Sequence, residues 1–143
     1  MEKVYFDNAA TTRMRSEVVD QIAAVMRDCY GNPSSTHAYG RSAKSLIEQA
    51  RKGIAKLLNV TPPEIIFTSG GTEADNLVLN SAVRDLGIGR IISSPIEHHA
   101  VLHTLDQLEK AYGTRVEYVK LDKWGHIDYE HLEALLSQGG NKT

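Results

Sequence analysis

The sequence predicts an α/β fold with a parallel sheet and helices on its faces. Three observations carry that expectation. From residue 65 onward the apolar pattern alternates strand, helix, strand, helix, strand, helix. Ile65-Ile66-Phe67 is a short β-prone run that suits a strand buried on both faces. It runs at once into Ser69-Gly70-Gly71-Thr72, a tight turn opening a helix in which Ala74, Leu77, Val78, Ala82 and Leu86 recur at three- and four-residue spacing.

Taken in order, Val4-Tyr5-Phe6 is β-prone, and Asp7 to Thr12 offers small, hydrogen-bonding side chains that suit a surface loop or the lining of a polar site. Ser16 is placed to cap a helix with Val18, Val19, Ile22 and Val25 or Met26 on one face, ended by Gly31. Gly31-Asn32-Pro33-Ser34-Ser35 is a loop. A long helix is expected from near His37 to Leu58, with a buried stripe of Ala43, Leu46, Ile47, Ala50, Ile54, Leu57 and Leu58. Thr61-Pro62-Pro63 stops it. Beyond the glycine turn and its helix, Gly87 and Gly89 mark a turn, residues 90–94 a second strand, and Pro95-Ile96-Glu97-His98 its exit loop. A helix from His99 to Tyr112 ends at Gly113, residues 116–121 form a third strand, and 122–125 a turn in which Trp124 is expected to cover the core. Asp128 caps a last helix with Leu132, Leu135 and Leu136, and the tail from Gln138 has no apolar pattern.

At 143 residues the chain has the core of one domain. Its 41% hydrophobic and 24% charged residues are those of an ordinary globular chain. A net charge of −2, with Lys and Arg dispersed, gives no footprint for nucleic acid or an acidic membrane. No apolar run reaches membrane-span length and the N-terminus lacks a signal-peptide pattern, so a cytoplasmic location is expected. The single cysteine, Cys29, excludes an internal disulfide; an inert, partly buried thiol accounts for it.

In parallel sheets ligands sit beyond the carboxyl ends of the strands. That places the Gly-Gly-Thr turn and Glu97-His98 at one edge. The free first-turn amides of the helix, the Thr72 hydroxyl and two residues without side-chain bulk make an anion site there, most simply for a phosphate. A plain glycine turn is the alternative, since neither a Walker ending nor a dinucleotide fingerprint is present. His98, between strand and helix, can stack on an aromatic ring or move a proton near neutral pH; a solvated loop histidine is the alternative. His99 and His103 have the spacing of a metal pair, but no third ligand falls at a recognised spacing and no metal is expected. Asp7 and Asp75 are carboxylates able to meet a cation, and helix-dipole stabilisation is sufficient for Asp75.

Four motifs in order are shared with a known family. Tyr-Phe-Asp-Asn-Ala-Ala-Thr-Thr (5–12), Gly-Asn-Pro-Ser-Ser (31–35), Phe-Thr-Ser-Gly-Gly-Thr-Glu-Ala-Asp-Asn (67–76) and Glu-His-His-Ala-Val-Leu (97–102) resemble cysteine desulfurases of the NifS/IscS type, pyridoxal-phosphate enzymes of the class V aminotransferase group. The resemblance implies part of the large pyridoxal-phosphate domain of an aspartate-aminotransferase-like (type I) fold, with an incomplete sheet. Residues 1–15 would be a segment lining the active site and 16–143 the N-terminal part of the cofactor-binding domain. It implies pyridoxal 5'-phosphate as cofactor, with Gly71 and Thr72 on its phosphate and His98 on its ring as an acid/base. Residues 8–12 and 32–35 would approach the same site. L-cysteine would be the substrate, a homodimer the assembly, and iron–sulfur scaffolds or other acceptors the destination of the sulfur.

The resemblance covers this whole chain but only the N-terminal third of the family's length. The family's Schiff-base lysine lies in a Ser-x-His-Lys context, which no lysine here has, and Cys29 does not match the persulfide cysteine. The 143 residues alone are therefore expected to be inactive, and to show no long-wavelength cofactor absorbance after desalting. A selenocysteine lyase, a cysteine sulfinate desulfinase and a non-catalytic, self-associating fragment are the alternatives.

Overall fold

A computed structural model describes residues 4–138, in two compact units, 4–66 and 67–138. The first three residues of the expected 1–15 segment, with Lys3, and the tail from Gly139, with Lys142, lie outside the described residues.

The first unit holds α1 (Ser16–Asp28), α2 (Ala38–Leu58) and a 3₁₀ turn at Pro62–Glu64. Ser16 is the first residue inside α1 rather than its cap; Arg15 holds the cap position with no side-chain bond, and the helix closes at Cys29, before Gly31. The expected apolar face of α1 is not covered: Val18, Val19 and Ile22 are nearly half exposed and Met26 three-quarters exposed. In α2 the expected stripe is fully buried only at Ala43, whereas Leu57 and Leu58 face solvent; Ala55, outside that stripe, is buried. An amphipathic pattern states which face needs cover; no second layer lies on these faces among the described residues.

What is tightly built in this unit is the junction before α2. The Ser35 amide donates to the Asn32 carbonyl at 3.0 Å and the Ser34 amide to Asn32 Oδ1 at 2.9 Å, folding residues 32–35 into a compact loop. His37 caps α2, its Nδ1 accepting from the Gly40 amide at 3.4 Å. Gly40 is buried against the loop: a Cβ there would stand 2.6 Å from the Asn32 carbonyl oxygen and 2.8 Å from Ser35 Cβ. Gly53, in the same helix, is exposed, with nothing near its Cβ position. Gly40→Ala should therefore destabilise the protein by about 1–3 kcal/mol through overpacking against backbone. Gly53→Ala should stabilise it by up to about 1 kcal/mol through helix propensity. Urea unfolding of the two variants checks this, and equal midpoints would show that the loop does not rest on Gly40.

The run 65–67 is a correction. Ile65 is extended, but residues 65–68 form no strand, and Ile66 and Phe67 are 67% and 47% exposed rather than buried on two faces. A strand exists only through the bonds of a neighbour, and the sheet among the described residues consists of residues 90–93 and 115–118 alone. The Arg51 guanidinium donates to the Ile65 carbonyl instead, tying the segment to α2.

The second unit contains α3 (Gly71–Arg84), β1 (Arg90–Ser93), α4 (His99–Tyr112), β2 (Arg115–Tyr118) and α5 (Tyr129–Ser137). β1 and β2 are parallel, with Arg90 opposite Arg115 and Ser93 opposite Tyr118, and α4 makes the crossover between them. Each strand is shorter than expected. Beyond β2 the chain turns, and Leu121 bridges antiparallel to Ile127 instead of extending the strand. The Asp122 carboxylate takes the amides of Trp124 and His126, which drives that turn and holds its carboxyl below the ordinary range. Trp124 does not cover the core: it is 72% exposed with the Lys123 ammonium 4.2 Å from its ring centre, a cation–π contact.

Val83 of α3, Ala100, Leu105 and Leu108 of α4, Val119 just after β2, and Leu135 of α5 are the buried apolar residues of this unit among those described. Arg90 joins the sheet to α5. Its guanidinium pairs with Glu117 and donates to the Leu135 carbonyl at 2.6 Å. The Arg90 bond to Glu117, with Arg115 nearby, lowers the Glu117 pKa. Asp128 caps α5 as expected, accepting from the His131 amide at 3.0 Å.

Candidate functional site

The second unit brings two helix N-termini to one cleft. The packing of α3 on α4 places Thr72 and Asn76 opposite His98, His99, Ala100, His103, Thr104 and Gln107 around a space of about 320 Å³. Sequence order placed the Gly-Gly-Thr turn and His98 together at a sheet edge. The structure joins them through helix packing, since the expected first strand is absent.

The start of α3 leaves backbone amides ahead of its hydrogen-bond ladder and has no capping side chain. Gly70 holds the cap position in extended backbone and has no side chain to cap the helix. The first amide with a helical acceptor is that of Ala74, 3.1 Å from the Gly70 carbonyl, so those of Gly71, Thr72 and Glu73 precede the ladder. A Cβ at Gly70 or Gly71 would meet nothing within 4 Å, and neither residue lies in the left-handed φ region. Neither backbone strain nor crowding within the chain accounts for these glycines; what they leave is room at the positive end of a helix. Glu73 does not line the cleft. Its carboxylate accepts from the Ser69 amide at 2.6 Å and the Ser69 hydroxyl at 2.7 Å, bonds that hold its pKa below the usual carboxylate value. The one acid in the first turn is thus occupied on the turn that precedes it.

His98 is the N-cap of α4. Its Nδ1 accepts from the Ala100 amide at 3.1 Å. A ring whose Nδ1 is an acceptor carries its proton on Nε2 in the neutral form, which leaves Nε2 as the donor. The residue is exposed at the mouth of the cleft. His99 and His103 stack loosely, with ring centres 5.3 Å apart, in the same cleft. Among the described residues no three His, Cys, Asp or Glu side chains are grouped for a metal.

Asn76 and Thr104 are the residues that sequence reasoning missed. Thr104 is buried and its hydroxyl lies 2.7 Å from Asn76 Oδ1; Asn76 Nδ2 donates to the Thr72 carbonyl at 2.8 Å. Asn76 closes the 67–76 motif, and a threonine among the leucines of the α4 stripe is the signal that could have found its partner. Asp75 is partly covered on α3, Cys29 lies in the first unit, and neither lines the cleft. Asp7 forms part of a loop in the first unit, where its carbonyl accepts from the Ala10 and Thr11 amides. A larger groove in the first unit, lined by Arg13, Arg15 and residues of early α1, contains none of Gly71, Thr72 and His98.

The second unit is thus an α/β unit in which a glycine-led helix and a histidine-capped helix open on one cleft. The chain belongs to the class V aminotransferase family, whose model matches residues 4–141. It is 46% identical over 132 residues to a cysteine desulfurase IscS of Methanosarcina thermophila, covering 90% of this chain and 32% of that protein. It is 41% identical over 136 residues to a cysteine desulfurase IscS of Dictyoglomus turgidum, covering 94% and 34%. Among solved structures, a NifS-like protein superposes with a TM-score of 0.86 at 41% identity, covering 96% of this chain and 38% of that one. The structure of SspA in complex with cysteine superposes at 0.80 and 35% identity, covering 91% and 38%. The chain thus spans about a third of the length of the relatives it matches.

Proposed function

We propose that this chain is the phosphate-holding part of a pyridoxal-phosphate-dependent cysteine desulfurase, acting on L-cysteine to give alanine and an enzyme persulfide. The proposal rests on the shared cleft: Thr72 and His98, on two different helices, line one space, and Gly70 and Gly71, next to Thr72 in the chain, have open room at their Cβ positions. The kinship to cysteine desulfurases supplies the substrate, and the cysteine-bound relative supports it.

The residues present fit pyridoxal 5'-phosphate. The amides of Gly71 and Thr72 and the Thr72 hydroxyl would hold its phosphate, donors at a helix start where a dianion is stabilised by the dipole. His98 would lie on its ring side, its Nε2 able to give or take a proton. When bound, the cofactor supplies an electron sink that labilises bonds at the substrate α-carbon. The protein's part is to fix the phosphate and to keep the imidazole in one tautomer, which the Ala100 amide does. Residues 1–15 would line the site and 16–143 contribute to the cofactor domain. The assembly would be a cytoplasmic homodimer passing sulfur to iron–sulfur scaffolds or other acceptors. None of the described helices is long and apolar enough to cross a membrane. No described lysine lines the cleft; Lys110 is paired with Asp106 at 2.6 Å and Lys123 lies on Trp124. The 143 residues by themselves would not desulfurate cysteine.

The test is the protein that carries this segment, purified from its source and given L-cysteine, selenocysteine and cysteine sulfinate under reductant. Alanine and sulfide from L-cysteine are expected. Turnover confined to either of the other two substrates would assign it to a different class V activity.

A further inference from the structure

The cleft is set by a hydrogen-bonded pair that sits one turn inside each helix. Asn76 is one helical turn beyond Thr72, and Thr104 one turn beyond Ala100, the residue whose amide caps onto His98. The Thr104 hydroxyl is 2.7 Å from Asn76 Oδ1 and 2.8 Å from the Ala100 carbonyl. One hydroxyl has one proton. The Ala100 carbonyl already serves the α4 ladder, so Asn76 Oδ1 is the acceptor with more to gain from it. That bond fixes the Asn76 rotamer. With Oδ1 on Thr104, Nδ2 faces the Thr72 carbonyl and donates to it at 2.8 Å. The chain of bonds therefore runs from buried α4, through one amide, to the peptide that carries Thr72. An apolar contact would have packed α3 on α4 without constraining that peptide. A buried hydroxyl and a half-buried amide are costly unless paired, and here each finds its partner in the other.

We propose that Asn76, held by Thr104, is a positioning residue that sets the Gly71–Thr72 turn against His98, so that both helix starts meet a single phosphate-bearing ligand. The inference rests on the proposed cofactor site for its ligand, though not for its geometry. The separation of the two helix starts then depends on a side-chain hydrogen bond and not on apolar packing alone.

Two readouts on the 143-residue chain test it: the Gly71 and Thr72 amide resonances, and affinity for added pyridoxal 5'-phosphate. Thr104→Val keeps shape and removes the hydroxyl; Asn76→Ala removes the link from the α3 side, at a less buried position. Each should displace both amide resonances and weaken affinity roughly two- to tenfold, the range of one hydrogen bond. The double variant should be no worse than either single, because one chain of bonds is cut in both. Thr104→Ser should restore the resonances and the affinity. Additive losses, a serine variant that behaves like valine, or amide resonances unmoved in both single variants would overturn the proposal. If the unsubstituted chain shows no response to the cofactor, the proposed function fails, while the resonances still decide whether the pair positions the turn.

Discussion

In the proposed cysteine desulfurase, His98→Asn is expected to lower turnover of L-cysteine by about 10²–10⁴-fold, the contribution of a positioned acid/base group, while cofactor content stays near normal. The choice of asparagine matters. His98 both lines the cleft and caps α4 through Nδ1, and capping alone is worth about 0.5–2 kcal/mol. Asparagine keeps an acceptor for the Ala100 amide and removes only the imidazole. His98→Ala removes both, so it should lose the same turnover and some stability besides. Turnover and unfolding midpoints of the two variants separate the roles. Near-normal turnover in His98→Asn would leave His98 as a helix cap in solvent and nothing more.

Thr72→Val should weaken pyridoxal 5'-phosphate binding by about 1.5–3 kcal/mol, the loss of a hydroxyl donor to a charged acceptor, or roughly one to two powers of ten in affinity. The side chain is exposed at the start of α3, so the fold has little to lose. Valine is β-branched like threonine, so the backbone preference changes little. Gly71→Val is the companion experiment: its Cβ meets no neighbour, so it should fold while blocking the room at the helix start. Equilibrium dialysis with the cofactor measures both. Affinity unchanged in Thr72→Val would remove the hydroxyl from the site, and unchanged affinity in Gly71→Val would remove the turn itself.

What the sequence showed of this molecule, and what it hid, follow from range. The helix from His99 to Tyr112 lies where its caps place it, because His98, Gly113 and the apolar stripe are all local signals. The second long helix begins one residue beyond His37, which caps it. The strand at 65–67 was misjudged because a β-prone run states a preference, and pairing depends on residues distant in sequence. The same holds for the apolar faces of α1 and α2, whose pattern is plain and whose cover is absent among the described residues. Trp124 went to solvent because Asp122 organises its turn by hydrogen bonds, leaving the ring to Lys123. At the cleft, Gly71, Thr72 and His98 were legible because each sits at a helix start, where chemistry and local sequence coincide. Asn76 and Thr104 were not: they lie within helices, 28 residues apart, and only packing shows that they meet.

The central claim is that the starts of α3 and α4 together receive a phosphate-bearing cofactor. The direct measurement is a titration of the isotope-labelled chain with pyridoxal 5'-phosphate, with pyridoxal as the control lacking phosphate, following backbone amides and histidine ring signals. Saturable shifts are expected at the Gly71, Thr72 and Glu73 amides and at the His98 ring, with the amide shifts much reduced for pyridoxal. Shifts that spare these residues, or that are the same for both compounds, would contradict the claim.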